Sequence, residues 1–185
     1  MKSDIERRKP EGLIDYLSLA ITTFGVGYLP IAPGTWGSGV GVLIFLGIER
    51  CIVNLRSGPE LSYFSGPSQA ITFAFLSAAL VVFSLIALWA SSRAISLLGN
   101  SDPSEAVVDE VLGQLITFAF VPFGITWPFI LAGFLLFRLF DIWKPYPIYD
   151  LQVLPGGIGV CADDIVAGVY AGICLAIGYA VFLSI

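Results

Sequence analysis

The chain has 185 residues, of which 57% are hydrophobic and 12% charged, with a net charge of −5 and a mean hydropathy of +0.88. Soluble domains carry roughly 25% charged residues, so the composition excludes an ordinary soluble protein and describes a single integral membrane domain over residues 1–185. The negative balance and the lack of a basic run exclude nucleic acid as a partner, and a sequence without histidine excludes histidine-based chemistry.

In chain order, Leu13 to Leu29 is apolar but broken by Asp15, Thr22, Thr23 and several glycines, which predicts an interfacial or re-entrant helix. The glycine-rich turn Ala-Pro-Gly-Thr-Trp-Gly-Ser (Ala32 to Ser38) follows, then a first spanning helix from Trp36 to Val53. An exposed loop is expected over Ser57 to Gly66. A long span runs from Pro67 to Leu98, more than the roughly 20 residues a crossing needs. Further spans are predicted over Glu105 to Val121, Phe129 to Trp143 and Asp163 to Ser184, with a polar loop from Lys144 to Ala162 carrying Pro-Gly-Gly-Ile-Gly-Val. The expected fold is all-α, a polytopic helical membrane protein of about five spans plus the N-terminal helix. With the N-terminus in the cytoplasm, seven of the nine Lys and Arg residues fall inside and two, Arg50 and Arg56, outside. The positive-inside rule favours that orientation.

This topology carries four polar clusters to one membrane face, and with them Asp109, Glu110, Asp141, Asp163 and Asp164. Carboxylates without histidine or thiolate suit a hard cation such as magnesium, which binds through a few carboxylates plus phosphate oxygens. Arg138 and Lys144 add positive charge for an anion. Helix N-termini at Glu105 and Asp163 would favour the same anion, and Gly156, Gly157 and Gly159 would let a backbone approach it closely. The set points to metal-assisted phosphate chemistry at the membrane surface. Each feature also has an ordinary explanation. Asp163–Asp164 and Asp109–Glu110 read equally as helix caps, Asp141 as the partner of Arg138 and Lys144 on one helix face, and Trp36 as an interfacial anchor.

The segments Pro-Gly-Thr-Trp-Gly-Ser, Asp-Glu-Val-Leu-Gly-Gln, Phe-Arg-Leu-Phe-Asp-Ile-Trp-Lys-Pro-Tyr-Pro-Ile and Gly-Gly-Ile-Gly-Val-Cys-Ala-Asp-Asp-Ile-Val-Ala-Gly, in this order, resemble the phosphatidylglycerophosphatase A family from about Phe24 to Gly168. The resemblance implies a magnesium-dependent phosphatase converting phosphatidylglycerophosphate to phosphatidylglycerol, in the bacterial inner membrane with its site towards the cytoplasm. It implies metal ligands at Asp109, Glu110, Asp163 and Asp164. Asp141, Asp164, Arg138 and Lys144 would be catalytic, and Thr35, Trp36, Ser38, Arg138, Lys144 and Gly157 would bind substrate. Cys161 departs from the methionine expected there, a change between two residues that are not magnesium ligands. Other phosphatase chemistries fail: Cys51 and Arg56 are one residue too close for a Cys-x5-Arg loop, and no aspartyl-phosphate motif is present. The rival readings are a transporter, which predicts mid-membrane charges in both halves, and a non-catalytic assembly protein, which predicts tolerance of Asp→Asn changes.

Overall fold

A computed structural model describes residues 5–55 and 67–185, with side chains given for 5–52 and 70–185. The expected loop at Ser57–Gly66, Arg56 and Lys2 lie outside the described residues. Among the described residues seven helices follow one another: α1 (Gly12–Thr23), α2 (Pro33–Leu55), α3 (Pro67–Leu98), α4 (Val108–Phe118), α5 (Trp127–Trp143), α6 (Ile148–Leu151) and α7 (Gly156–Ser184), with a 3₁₀ turn at Val26–Tyr28. No strand occurs among the described residues.

The bundle is organised around α4. It packs against α7, α2, α3 and α5, and nine of its eleven residues are buried. A helix surrounded by protein has no solvated face to mark in sequence. At about 1.5 Å per residue it is roughly 16 Å long, against a hydrocarbon core of about 30 Å. The expected span Glu105–Val121 is therefore a short central helix. Residues 33–52 of α2, 70–98 of α3 and 156–184 of α7 are long and apolar enough to cross a membrane. α3 is apolar all round, and Ile71, Phe75, Val82 and Leu85 are exposed, as on a helix whose surroundings are lipid.

α1 shows the same solvent logic inverted. Leu13, Ile14, Tyr16 and Leu17 face outward, while Asp15, Ser18, Thr22 and Thr23 are buried. Asp15 accepts the Glu11 backbone N–H at 2.8 Å and pairs with Arg8 (2.9 Å) and with Arg93 of α3 (2.5 Å). The segment before α1 runs across the end of α3: Arg8 N–H donates to the Ser96 carbonyl and Arg7 Nε to that of Leu97. These bonds fill carbonyls that a helix C-terminus leaves open. The Glu11 N–H, together with Arg8 and Arg93, holds the Asp15 carboxyl at about 2, below its ordinary 3.8. A carboxyl depressed in the fold stabilises it above its unfolded titration range and loses that contribution as pH falls towards 2. Asp15→Asn should lower the melting temperature at neutral pH, and the gap to wild type should close as melts are repeated from pH 5 down to pH 2.

Two boundaries differ from expectation. α2 already begins at Pro33, so the Pro-Gly-Thr-Trp-Gly-Ser stretch forms its first turns instead of preceding it. Proline fits that position because its missing N–H is one a helix start does not use. α7 begins at Gly156, so the expected glycine loop is helical and the loop from Lys144 to Ala162 contains α6 as well. Asp163 and Asp164 then lie two turns inside α7 and are not its caps.

Candidate active site

α2 and α4 begin, α5 ends, and the first turns of α7 pass around one cleft of about 420 Å³. Pro33, Gly34, Asp109, Glu110, Arg138, Asp141, Lys144, Gln152, Asp163 and Asp164 line it, with Asp102 and Ser104 at its rim. The structure thus gathers all five predicted acids and both predicted cations.

The cations are built by the end of α5. Arg138 Nη1 donates to Asp141 Oδ2 at 2.5 Å, one turn on. Lys144 closes the helix in the left-handed region, φ 46°, with its N–H on the Phe140 carbonyl, and Pro145 prevents continuation. Glycine or asparagine would take that backbone with less strain. A lysine here puts its ammonium across the cleft, 2.5 Å from Asp163 Oδ2 and 3.6 Å from Asp141 Oδ1. Burial alone would lower the Lys144 ammonium, but its bond to Asp163 and the field of Asp164 outweigh this and raise it, so it is charged at neutral pH. Gln152, after α6, donates its amide to the same Asp163 oxygen at 3.0 Å.

Asp109, Glu110 and Asp164 form the other side. One oxygen from each lies within 4.8 Å of the others. Asp109 Oδ1, Glu110 Oε2 and Asp164 Oδ1 are buried without a hydrogen-bond partner, and so is Asp163 Oδ1. Setting aside the exposed Asp102 at the rim, five carboxylates against two cations leave a formal excess of three negative charges in a largely buried space. Unpaired buried carboxylates are costly unless a cation satisfies them. An all-oxygen donor set of this size fits magnesium, and Asp109, Glu110 and Asp164 are the residues that would hold it. Asp163 lies beside them with its Oδ2 held by Lys144 and Gln152 and its Oδ1 unpartnered.

The remaining predicted residues lie elsewhere. Thr35 is exposed; Trp36 is half-exposed and donates Nε1 to the Ile31 carbonyl. Ser38 turns its hydroxyl back to the Gly34 carbonyl. Gly157 packs on α3, its N–H bonded to Ser92 Oγ at 2.8 Å, where a side chain would collide with the Leu88 carbonyl. None of the four lines the cleft.

Gly34 and Gln152, which sequence reasoning missed, do line it. A Cβ at Gly34 would touch the Glu110 carboxylate and lie 3.0 Å from Arg138 Nη1. The signal was present: Gly34, Gly37 and Gly41 fall on one helical face, the one laid on α4. Gly34→Ala should leave the melting temperature within a few degrees and reduce turnover by about 10-fold or more, since small displacements of reacting groups are costly; steady-state kinetics on the folded variant would check this.

The fold and cleft define a helical membrane protein with a charged centre in which three buried or half-buried acids could hold a metal ion. The chain belongs to the phosphatidylglycerophosphatase A family, whose model matches residues 19–179. It is 33% identical over 170 residues to phosphatidylglycerophosphatase A of Haemophilus influenzae, covering 88% of each chain. It is also 33% identical to phosphatidylglycerophosphatase A of Escherichia coli, covering 84% of this chain and 80% of that one. A Bacteroides thetaiotaomicron protein provisionally named phosphatidylinositol-3-phosphatase is 36% identical over 84% of this chain and 89% of its own. No solved structure matches. The protein is a membrane-embedded lipid phosphatase.

Proposed function

We propose that the protein hydrolyses the terminal phosphomonoester of phosphatidylglycerophosphate, releasing phosphate and phosphatidylglycerol, with magnesium as cofactor, at the cytoplasmic face of a bacterial inner membrane. The observation that carries this reading is one cleft holding orphaned carboxylates on one wall and an arginine–lysine pair on the other.

Arg138 and Lys144 bind the phosphoryl oxygens and stabilise the charge that develops on them. Asp141 sits between them and fixes both cations, and Asp163 with Gln152 fixes Lys144 from the far side. Bound by Asp109, Glu110 and Asp164, magnesium would polarise the phosphoryl group and make a water more acidic. The acids on these walls are largely buried, so their charges act in a lower dielectric than bulk water. The depth suits a lipid headgroup, because the cleft opens at the helix ends while α3 and α7 continue into the apolar layer. The orientation follows from charge: Arg7, Arg8, Lys9, Arg93, Arg138 and Lys144 lie towards the cleft end, and Arg50 lies towards the opposite end of α2. A carrier would need charges distributed through the membrane layer, whereas these collect at one end.

The relatives' names place two lipid monoesters in contention, so the test is a substrate comparison. Purified protein in nanodiscs is given phosphatidylglycerophosphate, phosphatidylinositol 3-phosphate or phosphatidic acid, each with magnesium or with excess chelator. Magnesium-dependent phosphate release, at least 10-fold faster from phosphatidylglycerophosphate than from the others, is expected. Preference for the inositol lipid, or release unaffected by chelator, would refute the assignment.

A further inference from the structure

Gln114 is fully buried on α4, and neither atom of its side-chain amide has a hydrogen-bond partner. It does not line the cleft. Its stem is closed over by α2: a Cβ at Gly41 would lie 2.7 Å from Gln114 Cβ and 3.0 Å from its Cγ. An orphaned amide in such a place is a standing cost to the fold, so its neighbours matter. One turn earlier is Glu110, whose Oε2 is also buried and unpartnered, while its Oε1 lies on the side of Gly34 and Arg138. Residues four apart share a helix face, and helical side chains lean towards the N-terminus. The Gln114 amide therefore leans onto the turn that carries Glu110. One group has a donor without an acceptor, and the other an acceptor without a donor.

We infer that Gln114 is a positioning residue for the acidic centre: its Nε2 reaches Glu110 Oε2 through one enclosed water, and so holds the other Glu110 oxygen towards the cleft. The inference rests on the reading that Asp109, Glu110 and Asp164 hold a divalent cation. Partners of ligating carboxylates orient them, and their loss typically costs 10–100-fold in metal affinity. A residue that only fills space behaves differently, because replacing an unpaired buried amide by an apolar group of the same shape leaves metal binding alone and helps the fold.

The experiment measures Mn²⁺ binding by electron paramagnetic resonance to the full chain in nanodiscs, without lipid substrate. Wild type, Gln114→Met, Gln114→Asn and Asp164→Asn are compared, with melting temperatures for each. Gln114→Met keeps the volume and removes the donor. Gln114→Asn keeps an amide that is one methylene short. The expected result is a Gln114→Met variant that folds and melts at or somewhat below the wild-type temperature, with Mn²⁺ affinity reduced at least 10-fold in both variants. Phosphate release should need correspondingly more magnesium for half-maximal rate. Wild-type Mn²⁺ affinity in either folded variant overturns the inference, as does failure of both to fold, which makes Gln114 a packing residue. If wild type binds no Mn²⁺, the metal reading falls and takes the inference with it.

Discussion

Asp164→Asn should reduce phosphate release on the order of 10³-fold, the scale on which losing one preorganised charge-stabilising group is felt, while leaving the metal-free fold as heat-stable as wild type or more so. The two effects have one cause. Asp164 is 4% exposed, sits within 4.8 Å of Asp109 and Glu110 oxygens, and has an oxygen with no partner. Without a cation this is like-charge crowding in a low dielectric, and an amide relieves it. With a cation it is a ligand, and an amide is a poor substitute. Structural caps would show the reverse pattern, since removing a cap lowers stability and spares chemistry. Melting curves in chelator, set beside turnover in magnesium, separate the two. Equal turnover in the variant would remove Asp164 from the centre.

Gly168→Ala should strongly destabilise the fold. α4 and α7 cross where Gly168 faces Gly113 with backbone against backbone: a Cβ at Gly168 would strike the Gly113 carbonyl and lie 3.1 Å from its Cα. The contact is reciprocal, since a Cβ at Gly113 would lie 2.6 Å from the Asp164 carbonyl. Thr117 Oγ1 also bonds there, to the carbonyls of Gly113 and Gly168. No side chain at this crossing can rotate away, so the helices must separate. Overpacking of a core costs about 1–3 kcal/mol, and a backbone collision belongs at the upper end. Separation would also draw Asp164 away from Asp109 and Glu110. Reduced folded yield, a lower melting temperature and lost turnover should therefore appear together. A variant with wild-type melting and activity would show that the crossing is looser than described.

Much of the cleft was legible because charge is scarce in this chain. In an apolar sequence, Asp109, Glu110, Arg138, Asp141, Lys144, Asp163 and Asp164 stand out, and counting helices assigned them to one end. The helical class was legible for the same reason, since an apolar chain in lipid must satisfy its backbone internally. Where a helix starts was harder to read. Gly156 to Gly159 looked like a loop by composition, yet they let α7 lie directly on Leu88 and Ser92 of α3, which no local pattern reveals. α4 was extended to both sides because its flanks are as apolar as its interior. The partnership of Asp15 with Arg93 links positions 78 apart, and that of Lys144 with Asp163 depends on an intervening helix. Gln152 carries no sequence signature, because its role lies in which carboxylate oxygen it reaches.

The central claim, that Asp109, Glu110 and Asp164 jointly hold one divalent cation beside Arg138 and Lys144, is tested most directly by anomalous diffraction from crystals grown with Mn²⁺. The account predicts a single strong peak in the cleft, at about 2.0–2.2 Å from an oxygen of each of the three carboxylates. A peak placed elsewhere, or a Mn²⁺-loaded crystal whose three carboxylates are bridged only to one another, would contradict it.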